Sequence, residues 1–146
     1  MPEQEAIDRA REDAREGKSP STQAGEFVRE EIHHVREGKH GARSPQQAIA
    51  IGLSKARRAG VKLPSPKGSA SLQRKAEEDE RASEHPHKTS RTRSRATERA
   101  LKRESHASAS KSALSGQSKK AAAARGKASR SRAANKAART RKSRSS

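Results

Sequence analysis

The sequence predicts a mostly α chain: a small helical unit of two to three short helices followed by a disordered, Lys/Arg/Ala/Ser-rich tail. Three observations lead there. The tetrapeptide Arg15-Glu16-Gly17-Lys18 recurs as Arg36-Glu37-Gly38-Lys39, and each copy is followed by a Ser-Pro pair, Ser19-Pro20 and Ser44-Pro45. The bulky apolar residues Ile7, Phe27, Val28, Ile32, Val35, Ile49, Ile51, Leu53, Val61 and Leu63 lie in the first half, and only Leu72, Leu101 and Leu114 follow. Beyond Glu104, the last acidic residue, residues 105–146 carry twelve Lys or Arg and no Asp or Glu.

Gly suits the position just past a helix end, Ser the N-cap and Pro the first helical turn, so the repeated punctuation spells stop, start, stop, start. Helices are predicted near residues 3–16, 20–37 and 45–59. The first, beginning at Glu3, is charged nearly all round. Its acids at 5, 8 and 12 precede Arg9, Arg11 and Arg15 by about one turn, an order that supports an exposed helix. Only Ala6, Ile7, Ala10 and Ala14 offer a contact face there.

In the second helix Ala24, Phe27, Val28, Ile32 and Val35 fall on one apolar stripe, which predicts docking. The third opens on Ser44-Pro45-Gln46-Gln47, a capping-box pattern, and ends at Gly60. Ala48, Gly52 and Ala56 recur every four residues on it, making a face small enough for the second helix to cross closely. Gly within a helix costs about 1 kcal/mol relative to Ala, which close packing offsets. Val61 and Leu63 are positioned to fold back before Pro64 and Pro66 close the unit.

Residues 67–104 read as a charged linker around the acidic knot Glu77-Glu78-Asp79-Glu80, with a basic helix at 92–104 that forms on contact. The predicted organisation is therefore a charged N-terminal helix at 1–18, a helical unit at 19–66, this linker, and a disordered cationic tail at 105–146. Net charge grades along the chain: Lys plus Arg against Asp plus Glu is 12 to 10 over residues 1–66, 11 to 7 over 67–104 and 12 to 0 over 105–146.

Composition narrows the function classes. Of 146 residues, 27% are hydrophobic and 36% charged, the formal net charge is +18 and the mean hydropathy is −1.27, values on the disordered side of the composition boundary. One Phe and no Tyr or Trp leave few large anchors for a core or for base stacking. With no Cys, disulfides, thiolate zinc sites and Cys nucleophiles are excluded together. No apolar run approaches the ~20 residues of a membrane span, and Met1–Ala10 lacks a secretory signal pattern. A cytoplasmic, nucleoid-associated protein is expected, with no membrane and no small-molecule substrate as partner.

The segment from Ser21 to Pro66 carries a long motif. It runs Thr22-Gln23-Ala24-Gly25-Glu26-Phe27-Val28-Arg29-Glu30-Glu31, then His33-His34, then Arg36-Glu37-Gly38-Lys39-His40-Gly41-Ala42-Arg43, and on through Gln47-Ala48-Ile49-Ala50-Ile51-Gly52-Leu53-Ser54 to Pro64. This resembles a family of small basic bacterial and phage proteins of unknown function with a Gln-Ala-Ile-Ala-Ile-Gly-Leu-Ser core. Members are variously labelled DNA-binding, histone-like or plasmid-stabilisation proteins. The resemblance implies a basic accessory protein and transfers no catalytic residue.

A solvated cationic segment without acids is a binding device for polyanions. The candidate contacts to the DNA or RNA phosphate backbone are Lys111, Lys119, Lys120, Arg125, Lys127, Arg130, Arg132, Lys136, Arg139, Arg141, Lys142 and Arg144, with Lys55, Arg57, Arg58 and Lys62 at the end of the third helix as weaker candidates. Fully extended, the 42-residue tail would span roughly 140 to 150 Å. Engaging Z phosphates of a duplex gives a salt slope near −0.9Z. Phosphate contacts position a protein without reading bases, and the Gly38–Arg43 connection is too long for a helix-turn-helix, so binding without sequence preference is expected.

The competing expectation is a protein-interaction or self-association module, using the Ala48, Gly52, Ala56 face or Ile51, with a solvating tail and a link to plasmid maintenance. Catalysis is not expected, because no nucleophile motif, phosphate-binding glycine loop or Asp/His pairing is present. Nor are cofactors or a metal site: His33 and His34 are adjacent and point apart, His40 lies across the Gly38 bend, and His85 and His87 sit in the linker.

Overall fold

The computed structural model describes residues 4–145. Residues 1–3, including the Glu3 start predicted for the first helix, lie outside the described residues, as does Ser146. Helices are the only regular structure among the described residues: α1 (Gln4–Arg15), α2 (Pro20–Arg36), α3 (Pro45–Arg58), α4 (Ala70–Glu84), α5 (Arg91–Lys102), a short 3-10 turn (Ala107–Ala109) and α6 (Lys111–Ser145). The chain divides into two units, Met1–Ser110 and Lys111–Ser146.

The predicted punctuation works as read. Ser19 caps α2 by accepting from Thr22 N, Ser44 caps α3 by accepting from Gln47 N at 3.2 Å, and Pro follows each cap. Gln47 completes its box one residue further out than the standard pattern, its Oε1 accepting from Arg43 N at 2.6 Å rather than from the cap residue itself.

The apolar stripe of α2 feeds two small cores, one at each end. Phe27 and Ala24 pack with Ala6 and Ala10 of α1, Ala56 of α3 and the returning Val61, flanked by Ile7, Leu53 and Leu63. Two turns further on, Val35 packs with Ala42, Ala48 and Ala109, flanked by Ile32. Both cores are rich in Ala, so backbones approach closely rather than being held apart by large side chains. The limiting contact is at Gly52, where a Cβ would lie 2.6 Å from Val28 Cα. The helix crossing expected over Ala48, Gly52 and Ala56 is therefore present, and all three are buried.

The first helix does more than the sequence suggests. Its Glu5–Arg9, Asp8–Arg11 and Glu12–Arg15 pairs form as predicted, yet Arg9 Nε also reaches Glu26 Oε2 of α2 at 2.8 Å and Asp13 is buried against Lys18.

Two expectations about the rest of the chain are overturned. Residues 67–104 are not an extended linker: Ser69 caps α4, and α4 docks on α3 through buried Ala76 and Asp79 rather than through Leu72, which stays 45% exposed. Asp79 accepts from Ser54 Oγ and lies 3.3 Å from Arg58 Nε and 3.0 Å from Lys75 Nζ, so a polar cluster supplies the attachment that apolar counting misses. The end of α5 is tied in by backbone alone, Gly41 N donating to Leu101 O at 2.8 Å and Ala42 N to Ser105 O at 3.0 Å.

The tail at 105–146 is likewise not disordered. The 3-10 turn seats Ala109 in the second core, and Arg36 Nε donates to Ala109 O at 2.8 Å. Beyond it α6 runs for 35 residues. With Leu114 its single large apolar residue, α6 cannot build a core, but a helix satisfies its hydrogen bonds locally and needs none. Its ten Ala and twelve Lys or Arg are among the best helix formers, and the two stretches on either side of Gly126, residues 111–125 and 127–145, reach or exceed the ~12 to 15 residues below which isolated helices are marginal.

Candidate nucleic-acid interface and a buried histidine cluster

Helix formation turns the cationic segment from a string into a rod. All twelve predicted cations lie on α6, whose described residues include none that is buried. At 1.5 Å per residue its contour is about 52 Å, a little under half of the roughly 115 to 125 Å that the same 35 residues would span when extended, so the charges stand closer together along the axis. Successive cations are separated by one to eight positions, which at 100° per residue places them on every side of the helix instead of along one stripe.

Gly126 interrupts the rod. It alone within α6 has non-helical angles, φ 78° and ψ 164°, and divides the cations into Lys111, Lys119, Lys120 and Arg125 before the kink and the remaining eight after it. Positive φ is a conformation Gly adopts without penalty and L side chains avoid. Arg130 Nε donates back to the Gly126 carbonyl at 3.4 Å, helping to satisfy the backbone at the break.

A second basic helix precedes it. α5 carries Arg91, Arg93, Arg95, Arg99 and Lys102 against the single acid Glu98, has no buried residue, and spans the region expected to become helical only on contact. Lys102 pairs with Glu98 at 3.1 Å.

The four weaker candidates are placed differently. Lys55 Nζ is bonded to Glu31 Oε1 at a largely buried position. Arg58 faces Asp79 and donates to Ser54 Oγ at 3.0 Å, Arg57 Nη2 donates to Pro64 O at 3.2 Å, and Lys62 sits 3.7 Å from Glu80 and 3.5 Å from Glu84. The C-terminal turn of α3 is thus turned toward α2 and α4.

Sequence spacing alone misses one cluster. Glu31 of α2 is fully buried, and around its carboxylate stand Lys55, His34 Nδ1 at 3.4 Å and His40 Nε2 at 3.1 Å. The bend at Gly38, which separates His40 from α2 in sequence, folds the chain back so that His40 meets the same carboxylate. His33 points elsewhere, as adjacency in a helix dictates. The signal that could have found the cluster is the i, i+3 pair Glu31 and His34 on one helix face, with a His placed just past the helix stop.

No helix among the described residues is long and apolar enough to cross a membrane. No curated protein and no solved structure matches the chain. Residues 17–67, about a third of the sequence, match a family of unknown function (DUF6496), so the recognised segment coincides with α2, α3 and the turns that bound them, and the match names neither a ligand nor a process.

Proposed function

We propose that the protein is a nucleic-acid-binding accessory that holds DNA by neutralising phosphates without reading sequence, in the manner of a histone tail and associated with the nucleoid. The observation that carries this reading is α6: twelve cations, no acid, no buried residue. Duplex DNA presents one phosphate charge per ~1.7 Å of axis, so the arms on either side of Gly126, about 22 and 28 Å long, each meet more phosphates than they can neutralise. Cations on every side mean that no single orientation is required, which suits binding without register. Roughly half can face the duplex at once, which gives a salt slope near −5.

The packed unit then acts as the body to which the arm is attached. Self-association loses its main surface, because the Ala48, Gly52, Ala56 face is covered by α2 within the same chain, which leaves Ile51 as the candidate contact.

The test replaces the twelve cations of α6 by Gln in the full chain and follows anisotropy of unrelated labelled duplexes over a salt series. The expected result is a loss of at least 100-fold in affinity at low salt and a nearly flat salt dependence. Unchanged affinity and slope would overturn the proposal, and tighter binding to one duplex than to the others would overturn the lack of sequence preference.

A further inference from the structure

The groups around Glu31 have an arrangement that a proton and an ammonium fill incompletely. His40 Nδ1 lies 2.8 Å from Gly41 O. A carbonyl can only accept, so Nδ1 carries the hydrogen, and in the neutral ring Nε2 is left as a lone pair. That lone pair faces Glu31 Oε2 at 3.1 Å. Either a proton on Nε2, which then donates to the carboxylate, or a metal ion between the two atoms satisfies this contact.

His34 repeats the pattern from the other side. Its Nδ1 is 3.4 Å from Glu31 Oε1, and its Nε2 is 3.7 Å from Glu30 Oε1, a second buried carboxylate. Each ring therefore directs one nitrogen at Glu31 and the other at an oxygen acceptor. Histidines that ligate metals have the outer nitrogen held by a carbonyl or carboxylate, as His40 Nδ1 is by Gly41 O, while His34 Nε2 lies near Glu30 at more than hydrogen-bond distance. The rings meet nearly at right angles, 79°, with centroids 6.2 Å apart, so neither blocks the other.

We propose that Glu31, His34 and His40 form a binding site for a divalent transition cation of the zinc class. One donor atom from each residue lies within 4.8 Å of the others. Bonds of about 2.0 to 2.2 Å in a tetrahedral site put neighbouring donors about 3.3 to 3.5 Å apart; His40 Nε2 meets that spacing from Glu31 Oε2 and His34 Nδ1 from Oε1, so a small turn of the carboxylate brings one oxygen to both rings. The set of two imidazoles and one carboxylate, with a position left for water, is a donor combination zinc accepts. Lys55 occupies the cation's place at Glu31, and its flexible stem lets the ammonium swing out when the ion enters. The ion would join α2 to the Gly38–Arg43 connection, which carries Ala42 of the second core.

The experiment titrates Zn²⁺ into the full chain freed of metal by chelation, with calorimetry for affinity, the thermal midpoint for stability, and Co²⁺ spectra for geometry. Saturating Zn²⁺ at about 100 times Kd is expected to raise the midpoint by several degrees. H40A and E31Q are expected to weaken binding by at least about 10-fold, and H85A/H87A, outside the cluster, to leave it unchanged. Because H40A and E31Q can lose structure for other reasons, K55M supplies the second readout: removing the competing ammonium is expected to tighten Zn²⁺ binding by several-fold while lowering the metal-free midpoint. Affinity lost only in H85A/H87A, or left unchanged or weakened in K55M, would overturn the site and leave Glu31 as the centre of a buried ion cluster. Tetrahedral-type Co²⁺ bands supported by His34 and His40 would uphold it, and octahedral-type bands would overturn it.

Discussion

In the first unit the buried carboxylates of Asp13, Glu31 and Asp79 each face cations, Lys18 at 2.7 Å, Lys55, and Lys75 at 3.0 Å with Arg58, while α6 sets twelve cations on a helix with no carboxylate at all. One region is held by packing that brings opposite charges together across helices, and the other by local propensity working against like-charge repulsion. Charge compensation inside the first unit takes up even exposed-looking residues such as Lys55. Within α6 no Asp or Glu is present to compensate the cations in the same way. The same residue types, Ala with Lys and Arg, thus build a compact body where acids are interspersed and an open rod where they are not.

The sharpest way to break this comparison is to disturb packing alone. Gly52→Ala adds a Cβ that would stand 2.6 Å from Val28 Cα and 2.9 Å from Val28 N, backbone atoms that cannot move aside cheaply. Overpacking of this kind costs about 1 to 3 kcal/mol, more than the ~1 kcal/mol of helix propensity that Ala recovers. The expected outcome is a fall of about 10 °C in the cooperative thermal midpoint of the first unit, with the helicity contributed by α6 unaltered, measured by circular dichroism. A loss shared by both units would show that α6 depends on the body and end the contrast.

Sequence legibility follows the same division. The boundaries of α1, α2 and α3 were readable to within a residue or two because Gly17, Gly38, Gly60 and the Ser-Pro pairs carry local signals, and the Ala48, Gly52, Ala56 face was readable because it is periodic. The docking of α4 was not, since it rests on Asp79 meeting Ser54 and Arg58, a polar contact spanning 25 residues that no periodicity announces. Helicity of α6 was hidden for a different reason: low hydropathy argues against a core, and the step from no core to no structure ignores that a long Ala-rich segment needs none. The Glu31, His34, His40 cluster lay in plain view as residue types, but only the bend after α2 joins its third member to the first two.

An intermediate effect is expected at the kink. Gly126→Ala replaces the residue whose φ of 78° permits the break, so the two arms should merge into one continuous helix, favoured by about 1 kcal/mol in intrinsic propensity. Far-UV dichroism should show increased helicity at low temperature while the cooperative transition of the first unit stays within a degree of its original midpoint. Unchanged helicity would mean that charge repulsion, not Gly126, sets the break.

The smallest effect concerns a single compensated cation. Hydrogen bonds from the Lys18 ammonium to Asp13 and Glu16 raise its pKa above the ordinary lysine value, Nζ standing 2.7 and 2.8 Å from their carboxylate oxygens. A group whose pKa is raised on folding contributes stability that is complete below its unfolded value, near 10.4, and that disappears as pH climbs through the higher folded value. Lys18→Met should therefore lower the midpoint of the first unit by no more than about 2 °C at neutral pH, because the pair is partly exposed and screened. The difference between the two proteins should begin to shrink as pH passes the unfolded value near 10.4 and close only as pH climbs through the higher folded value, where Lys18 in the unaltered chain also loses its proton. A gap that persisted at high pH would assign the loss to the side chain's packing at the end of α1 instead of its charge, and would weaken the view that ion pairing across turns is what closes this unit.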